Sequence, residues 1–202
     1  MHATRALGVV LAALTLATSA AHAQVVPPDA LLVDRVDDAE EGACTDQPDD
    51  CTLRGALMSA APGDLIAFHP DVFKIEADGK PTAIGVLDPL PPITGDLTTL
   101  WGSVSGLPKV RLDGSSAGTG VDGLVIKSDG NYIRGIMIEG FDGDGLRVEG
   151  ANNTLGATNY CWLNQPLIIE GNGGYGVRIT GEDADGNTLR DSVIGLSTTT
   201  NQ

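Results

Sequence analysis

Gly123-Leu124-Val125-Ile126-Lys127-Ser128-Asp129-Gly130-Asn131-Tyr132-Ile133-Arg134 is matched, 22 positions later, by Gly145-Leu146-Arg147-Val148-Glu149-Gly150-Ala151-Asn152-Asn153-Thr154-Leu155-Gly156. Each copy holds a glycine, a short apolar strand, a polar turn, and an asparagine that opens a second short strand. A third copy starts at Gly176-Val177-Arg178-Ile179 and resumes at Asn187-Thr188-Leu189-Arg190, delayed by a loop around Asn159–Pro166. Short strands, Gly/Asn corners and a period of about 22 residues are the signature of a β-solenoid. Leucine-rich repeats share the period, but their Leu-x-x-Leu-x-Leu spacing is absent. The expected fold class is therefore all-β, a right-handed parallel β-helix. The alternative is a β-sandwich of the immunoglobulin kind, which calls for longer alternating strands.

Alternation assigns the faces. Leu124 and Ile126, Leu146 and Val148, Val177 and Ile179 point inward, and Ile133, Leu155 and Leu189 form a second inward column. Asn131, Asn153 and Asn187 share a corner where Asn tolerates left-handed dihedrals and its amide can bond the copy above. One outward column reads Val125, Arg147, Arg178, and the next Lys127, Glu149, Thr180. Lys127 and Glu149 can pair across strands. Arg147 over Arg178 sets like charges directly opposite, which is destabilising. Either carboxylates compensate them or an anion bridges them, so Arg147 and Arg178 are the candidate ligand-binding residues. Arg134 and Arg190 stand in a third outward column, separated by Gly156. Asp142 and Asp144, two apart in a Gly-rich turn, are the candidate metal ligands. Ca²⁺ wants six to eight oxygens, and Asp and Gly are also plain turn formers.

Upstream, Leu31-Leu32-Val33 opens the ordered part, and an acidic loop from Asp37 to Asp50 follows. Thr52 stands at a helix N-cap position, with Leu53, Ala56, Leu57 and Ala60 on one apolar face of a short helix. Pro62-Gly63-Asp64 ends it, and Leu65-Ile66-Ala67-Phe68 reads as a strand. Cys44 and Cys51 are expected to form a local disulfide in an oxidising compartment, the alternative being two free thiols. No His or third Cys nearby supports a metal site there. Cys161 is left over and reads as a small buried hydrophobe.

Cys51-Thr52-Leu53-Arg54-Gly55-Ala56-Leu57, with Gly63-Asp64-Leu65-Ile66-Ala67-Phe68 and Leu90-Pro91-Pro92-Ile93-Thr94-Gly95, resembles the exported bacterial β-helix proteins named for a Cys-Ser-Leu-Arg-Glu-Ala motif. In that family the motif caps the helix at its N-terminal end. Here the motif's Ser is Thr52 and its Glu is Gly55. Ser or Thr followed three residues on by Glu is a capping box, so the hydroxyl arm survives and the carboxylate arm is gone. The resemblance implies a large exported surface protein without an assigned reaction.

The beginning of the chain is laid out as a secretory signal peptide over residues 1–23. Arg5 precedes the apolar run Ala6–Leu14, and Ala21-His22-Ala23 offers a small-residue cleavage site. The run is too short to span a bilayer, which takes about 20 apolar residues; a retained anchor is the alternative. Residues 24–63 then form the cap segment and 64–202 the β-helix coils. The chain carries 27 acidic residues against 12 Lys and Arg, which argues against a nucleic-acid partner. The end, Gly195 to Gln202, offers no amphipathic helix or charged cover for a last coil. The natural protein is accordingly expected to continue with further coils.

These features lead to a secreted or surface-displayed, non-catalytic β-helix module, used in adhesion, carbohydrate binding or as a stalk. An extracellular polysaccharide or a cell-surface component is its expected partner, with no cofactor unless Ca²⁺ binds at Asp142 and Asp144. The alternative is a polysaccharide lyase or glycoside hydrolase of the pectin-lyase-like fold. Such chemistry needs a base or paired carboxylates, yet outward acids are sparse on the repeats and no His follows His69.

Overall fold

The structure is a computed structural model that describes residues 26–40, 42–45, 47–103, 106–157 and 165–195. Residues 1–23, Cys161 and residues 196–202 lie outside them, and with them the expectations on the signal peptide, the spare thiol and the last residues. Fourteen strands and one α-helix are found among the described residues, an all-β chain. In chain order the elements are β1 (Leu31–Val33), α1 (Leu53–Ser59), β2 (Leu65–Phe68), β3 (Thr82–Gly85), β4 (Thr99–Trp101), β5 (Val110–Asp113), β6 (Leu124–Ile126), β7 (Tyr132–Arg134) and β8 (Ile136–Glu139). There follow β9 (Leu146–Val148), β10 (Thr154–Leu155), β11 (Leu167–Glu170), β12 (Val177–Ile179), β13 (Thr188–Leu189) and β14 (Ser192–Ile194).

The strands form three sheets, ordered β1-β2-β4-β7-β10-β13, β14-β11-β8-β5-β3 and β12-β9-β6. Every pairing between named strands is parallel, which overturns the antiparallel sandwich alternative. From β6 onward the chain visits the three-, six- and five-stranded sheets in that order three times. The registers are those the repeat implies: Leu124 faces Leu146, which faces Val177, and Ile133 faces Leu155, which faces Leu189.

The aliphatic columns make the core. Ile66, Leu100, Ile133 and Leu155 follow one another across the six-stranded sheet, and Ile84, Leu112, Ile138 and Ile169 across the five-stranded one; all are buried. Each contributes about 1.5–3 kcal/mol by leaving water. A Cβ at Gly123 would strike the Gly145 carbonyl and Ile138, which is why a glycine leads the inner strands. At the last described coil β12, β13 and β14 are the edges of their sheets, and Ile179 and Leu189, members of the inward columns, are 47% and 43% exposed. No strand among the described residues covers them.

The segment ahead of β2 forms as its residues dictate. Thr52 accepts the Gly55 N–H at 3.0 Å and its hydroxyl donates to the Ala39 carbonyl at 2.7 Å. The loop closes directly on the helix start, since a Cβ at Gly42 would run into the Gly55 backbone. Gly42 thereby lets the loop approach the Gly55 backbone closely. Arg54 is buried; it pairs with Asp38 at 2.7 Å and donates to the carbonyls of Asp88 and Pro89. Cys44 and Cys51 form a disulfide with Cα atoms 4.4 Å apart. No helix among the described residues is long and apolar enough to cross a membrane.

Candidate functional site

Arg147 and Arg178 are directly opposite each other, on β9 and β12. Each is compensated by a carboxylate from the preceding Gly-rich turn. Arg147 Nε lies 3.2 Å from Asp122 and 3.4 Å from Glu149, and Arg178 Nε lies 2.6 Å from Asp144. Lys127 reaches Glu149 at 3.9 Å, the cross-strand pair the sequence implies. Of the two readings open for the arginine column, the geometry provides carboxylate compensation. No bridging anion is needed to hold the two cations in register.

The aspartates that serve these arginines also tie the circuits together. Asp122 Oδ1 accepts the Asp144 N–H at 2.7 Å, and Asp144 Oδ1 accepts the Tyr175 N–H at 2.8 Å. Asp144 is buried, so its charge is stabilised by an amide and a guanidinium in place of water. Asp142 accepts the Gly120 N–H at 2.7 Å and borders an open depression with Gly114, Ser115, Thr119 and Phe141. Of the two proposed Ca²⁺ ligands, Asp144 thus spends both oxygens on the Tyr175 amide and Arg178, and Asp142 spends Oδ2 on the Gly120 amide. Among the described residues no group of three or more His, Cys, Asp or Glu could hold a metal ion.

At the opposite corner the asparagines stack. The Asn131 N–H and its side-chain amide both donate to Asn153 Oδ1, at 2.8 and 2.9 Å, and the Asn153 N–H donates to Asn187 Oδ1 at 2.8 Å. The column extends one step beyond the sequence expectation, because the Thr98 N–H donates to Asn131 Oδ1. These bonds are internal and leave the asparagines in a structural role.

The five-stranded sheet gathers a group that the repeat alignment misses. Asp113 faces Glu139, and Glu139 faces Glu170, so three carboxylates share one column, spaced by about 4.8 Å per strand. Arg111 lies between two of them, 2.5 Å from Glu139 and 3.2 Å from Asp113. Burial pushes the Asp113 carboxyl up, but hydrogen bonds from Ser115 and the charge and hydrogen bond of Arg111 outweigh it and hold it below its ordinary 3.8. A pattern for this column does exist in the sequence. Val110-Arg-Leu-Asp113, Ile136-Met-Ile-Glu139 and Leu167-Ile-Ile-Glu170 are each an apolar strand ending in an acid before glycine. Unequal turns between them hide the register from an alignment anchored on Gly123 and Asn131.

The six-stranded sheet presents the third outward surface. The Arg134 guanidinium lies 4.4 Å from the centroid of the Trp101 ring and 4.8 Å from that of Tyr132, within cation–π range. Trp101 Nε1 donates to Gln165 Oε1 at 2.8 Å, which holds the indole in place. No protein-family model matches the chain, and the comparisons with curated proteins and with solved structures found no match.

Proposed function

We propose that the chain is a secreted or surface-displayed, non-catalytic module built as a right-handed parallel β-helix, with α1 and the disulfide-closed loop as its N-terminal cap. Three parallel sheets visited in a fixed order support the helical reading, and parallel crossovers are right-handed in nearly all proteins. The Cys44–Cys51 bridge suits an oxidising exterior. One observation carries the non-catalytic part: the outward charges of the three-stranded sheet and its turns are spent on each other and on backbone amides. Asp122 and Asp144 each bind one guanidinium and one N–H of the next circuit. A surface knitted in this way suits adhesion, carbohydrate binding or a stalk.

The column Asp113, Glu139 and Glu170 favours a second reading, a glycoside hydrolase. Its spacing of about one strand is close to the 5–5.5 Å that separates the carboxyls of a retaining pair. Arg111 pairs with Asp113 and holds its carboxyl below the ordinary value, so Asp113 is not suited to be the general acid of such a pair, which must keep its proton near the working pH. Polysaccharides of neutral, carboxylated and sulfated types incubated with the secreted protein decide between the two. The module reading expects no new reducing ends and no ultraviolet absorbance from unsaturated uronates. Turnover that disappears in Glu139→Gln or Glu170→Gln would overturn it.

A further inference from the structure

In a chain with this excess of carboxylates, an arginine without one is the exception. Of the seven arginines among the described residues, Arg35, Arg54, Arg111, Arg147 and Arg178 each make an ion pair. Arg134 and Arg190 make none among the described residues, and both belong to the same outward row of the six-stranded sheet. In register that row runs Ala67, Trp101, Arg134. It continues through Gly156 and Arg190, one residue past β10 and β13, whose N–H groups still donate to the Ile133 and Leu155 carbonyls of the preceding strands. Beside it lies a row of Leu65, Thr99, Tyr132, Thr154 and Thr188. Neither row contains an Asp or Glu. The other two sheets, by contrast, set carboxylates beside every outward arginine.

Arg134 is also held in advance. It lies against Trp101 and Tyr132, and its Nε is shielded with no hydrogen-bond partner. A stacked guanidinium loses little rotamer freedom when its N–H groups meet an anion. Arg190 is exposed and stands two strand spacings further on, about 10 Å away along the column. Gly156 between them has no side chain, so nothing rises between the two cations.

We propose that this face binds a linear anionic polysaccharide. Arg134 and Arg190 would contact carboxylates or sulfates borne by separate sugars of one strand, and Thr154 and Thr188 would meet its hydroxyls. The proposal rests on the reading of the chain as an extracellular module. A polymer is favoured over a free anion because the two cations are too far apart for one small ion to bridge. Charge complementarity is local and selects the sign: the strip carries arginines and no carboxylate, and it attracts an anionic chain within a Debye length even though the formal charge of the whole chain, −15, repels one at long range.

Isothermal titration of the intact protein with alginate, dextran sulfate, uncharged dextran, inorganic sulfate and polyglutamate tests it. Alginate or dextran sulfate should bind, more weakly as salt rises, while dextran, sulfate ion and polyglutamate should not. Arg134→Gln or Arg190→Gln should each weaken binding roughly tenfold, and the double variant roughly a hundredfold if the sites add. Lys80→Gln, in an exposed turn, should leave binding unchanged. Arg190 is a surface residue, so its variant reports on binding even if Arg134→Gln unfolds, which thermal unfolding checks. Wild-type binding by Arg190→Gln, or equal binding of polyglutamate, would overturn the proposal. Failure of both charged polysaccharides to bind, with no polysaccharide cleaved, would sink this inference and leave the module reading standing. Cleavage together with arginine-independent binding would bring down both.

Discussion

Asp144 and Arg178, 34 residues apart in the chain, form an ion pair of 2.6 Å between successive circuits, and the other oxygen of Asp144 accepts the Tyr175 N–H. Asp122 and Arg147 repeat the arrangement one circuit earlier. The pair is lopsided: the Asp144 side chain is 4% exposed and that of Arg178 47%. Removing each member should therefore have unequal consequences. Asp144→Ala leaves an amide without its acceptor and a guanidinium without its partner, at a cost of about 2–3 kcal/mol. Arg178→Ala leaves the buried Asp144 carboxylate its bond from the Tyr175 N–H and lets water reach the vacated side, so it should cost less, about 1–2 kcal/mol. Urea unfolding of the two variants checks the order, and a larger loss for Arg178→Ala would contradict it.

The asparagine column should grade in the same way. Asn131 is buried and serves the Thr98 N–H, the Ser128 carbonyl and Asn153. Asn187 lies next to the exposed edge of its sheet. Asn131→Ala is expected to cost about 2–3 kcal/mol and Asn187→Ala about half as much. Thermal unfolding of the two variants compares them.

How much of this was legible in the sequence depends on how regular the turns are. Copies 22 residues apart put Leu124 over Leu146 and Asn131 over Asn153 at once, because equal turns preserve the register. Thr52 and the apolar face of Leu53, Ala56 and Leu57 likewise mark the helix from local chemistry alone. The acid column escaped notice because Asp113, Glu139 and Glu170 are separated by turns of different length. The partners of Arg147 and Arg178 were legible only as a class, since which aspartate each arginine meets depends on how the turn at Asp122 and at Asp144 folds back. The exposure of Ile179 and Leu189 is a property of sheet edges, which a repeat pattern does not encode.

Stability should fall in acid partly through Asp113. Its folded value is depressed, so its contribution is present above the unfolded value of about 3.9 and is lost as pH falls through the lower folded value. Asp113→Asn should be less stable than the parent near neutrality. The difference should shrink below about pH 4 and vanish once the carboxyl is protonated in both states. Urea midpoints taken across pH 2–7 follow it. A gap that stays constant to the lowest pH would show that the carboxylate charge is not the cause.

The segment ahead of β2 should depend on its disulfide. Cys51 is fully buried, and the bridge closes a loop with a sequence separation of 7. Replacing both cysteines by serine is expected to lower stability by roughly 2–3 kcal/mol. Reductant should lower the melting temperature of the parent protein and leave that of the double variant unchanged.

The parallel helical stacking of circuits is the claim on which the rest depends, and a distance ruler along one column tests it. Thr99, Tyr132, Thr154 and Thr188 are consecutive in register. Spin labels on cysteines placed at 99 and 154, and at 99 and 188, in a Cys161→Ser background, should report backbone separations of about 10 and 14 Å. The two values should differ by one strand spacing once label length is allowed for. A 99–188 separation shorter than 99–154, or far beyond 20 Å, would contradict the stacked arrangement.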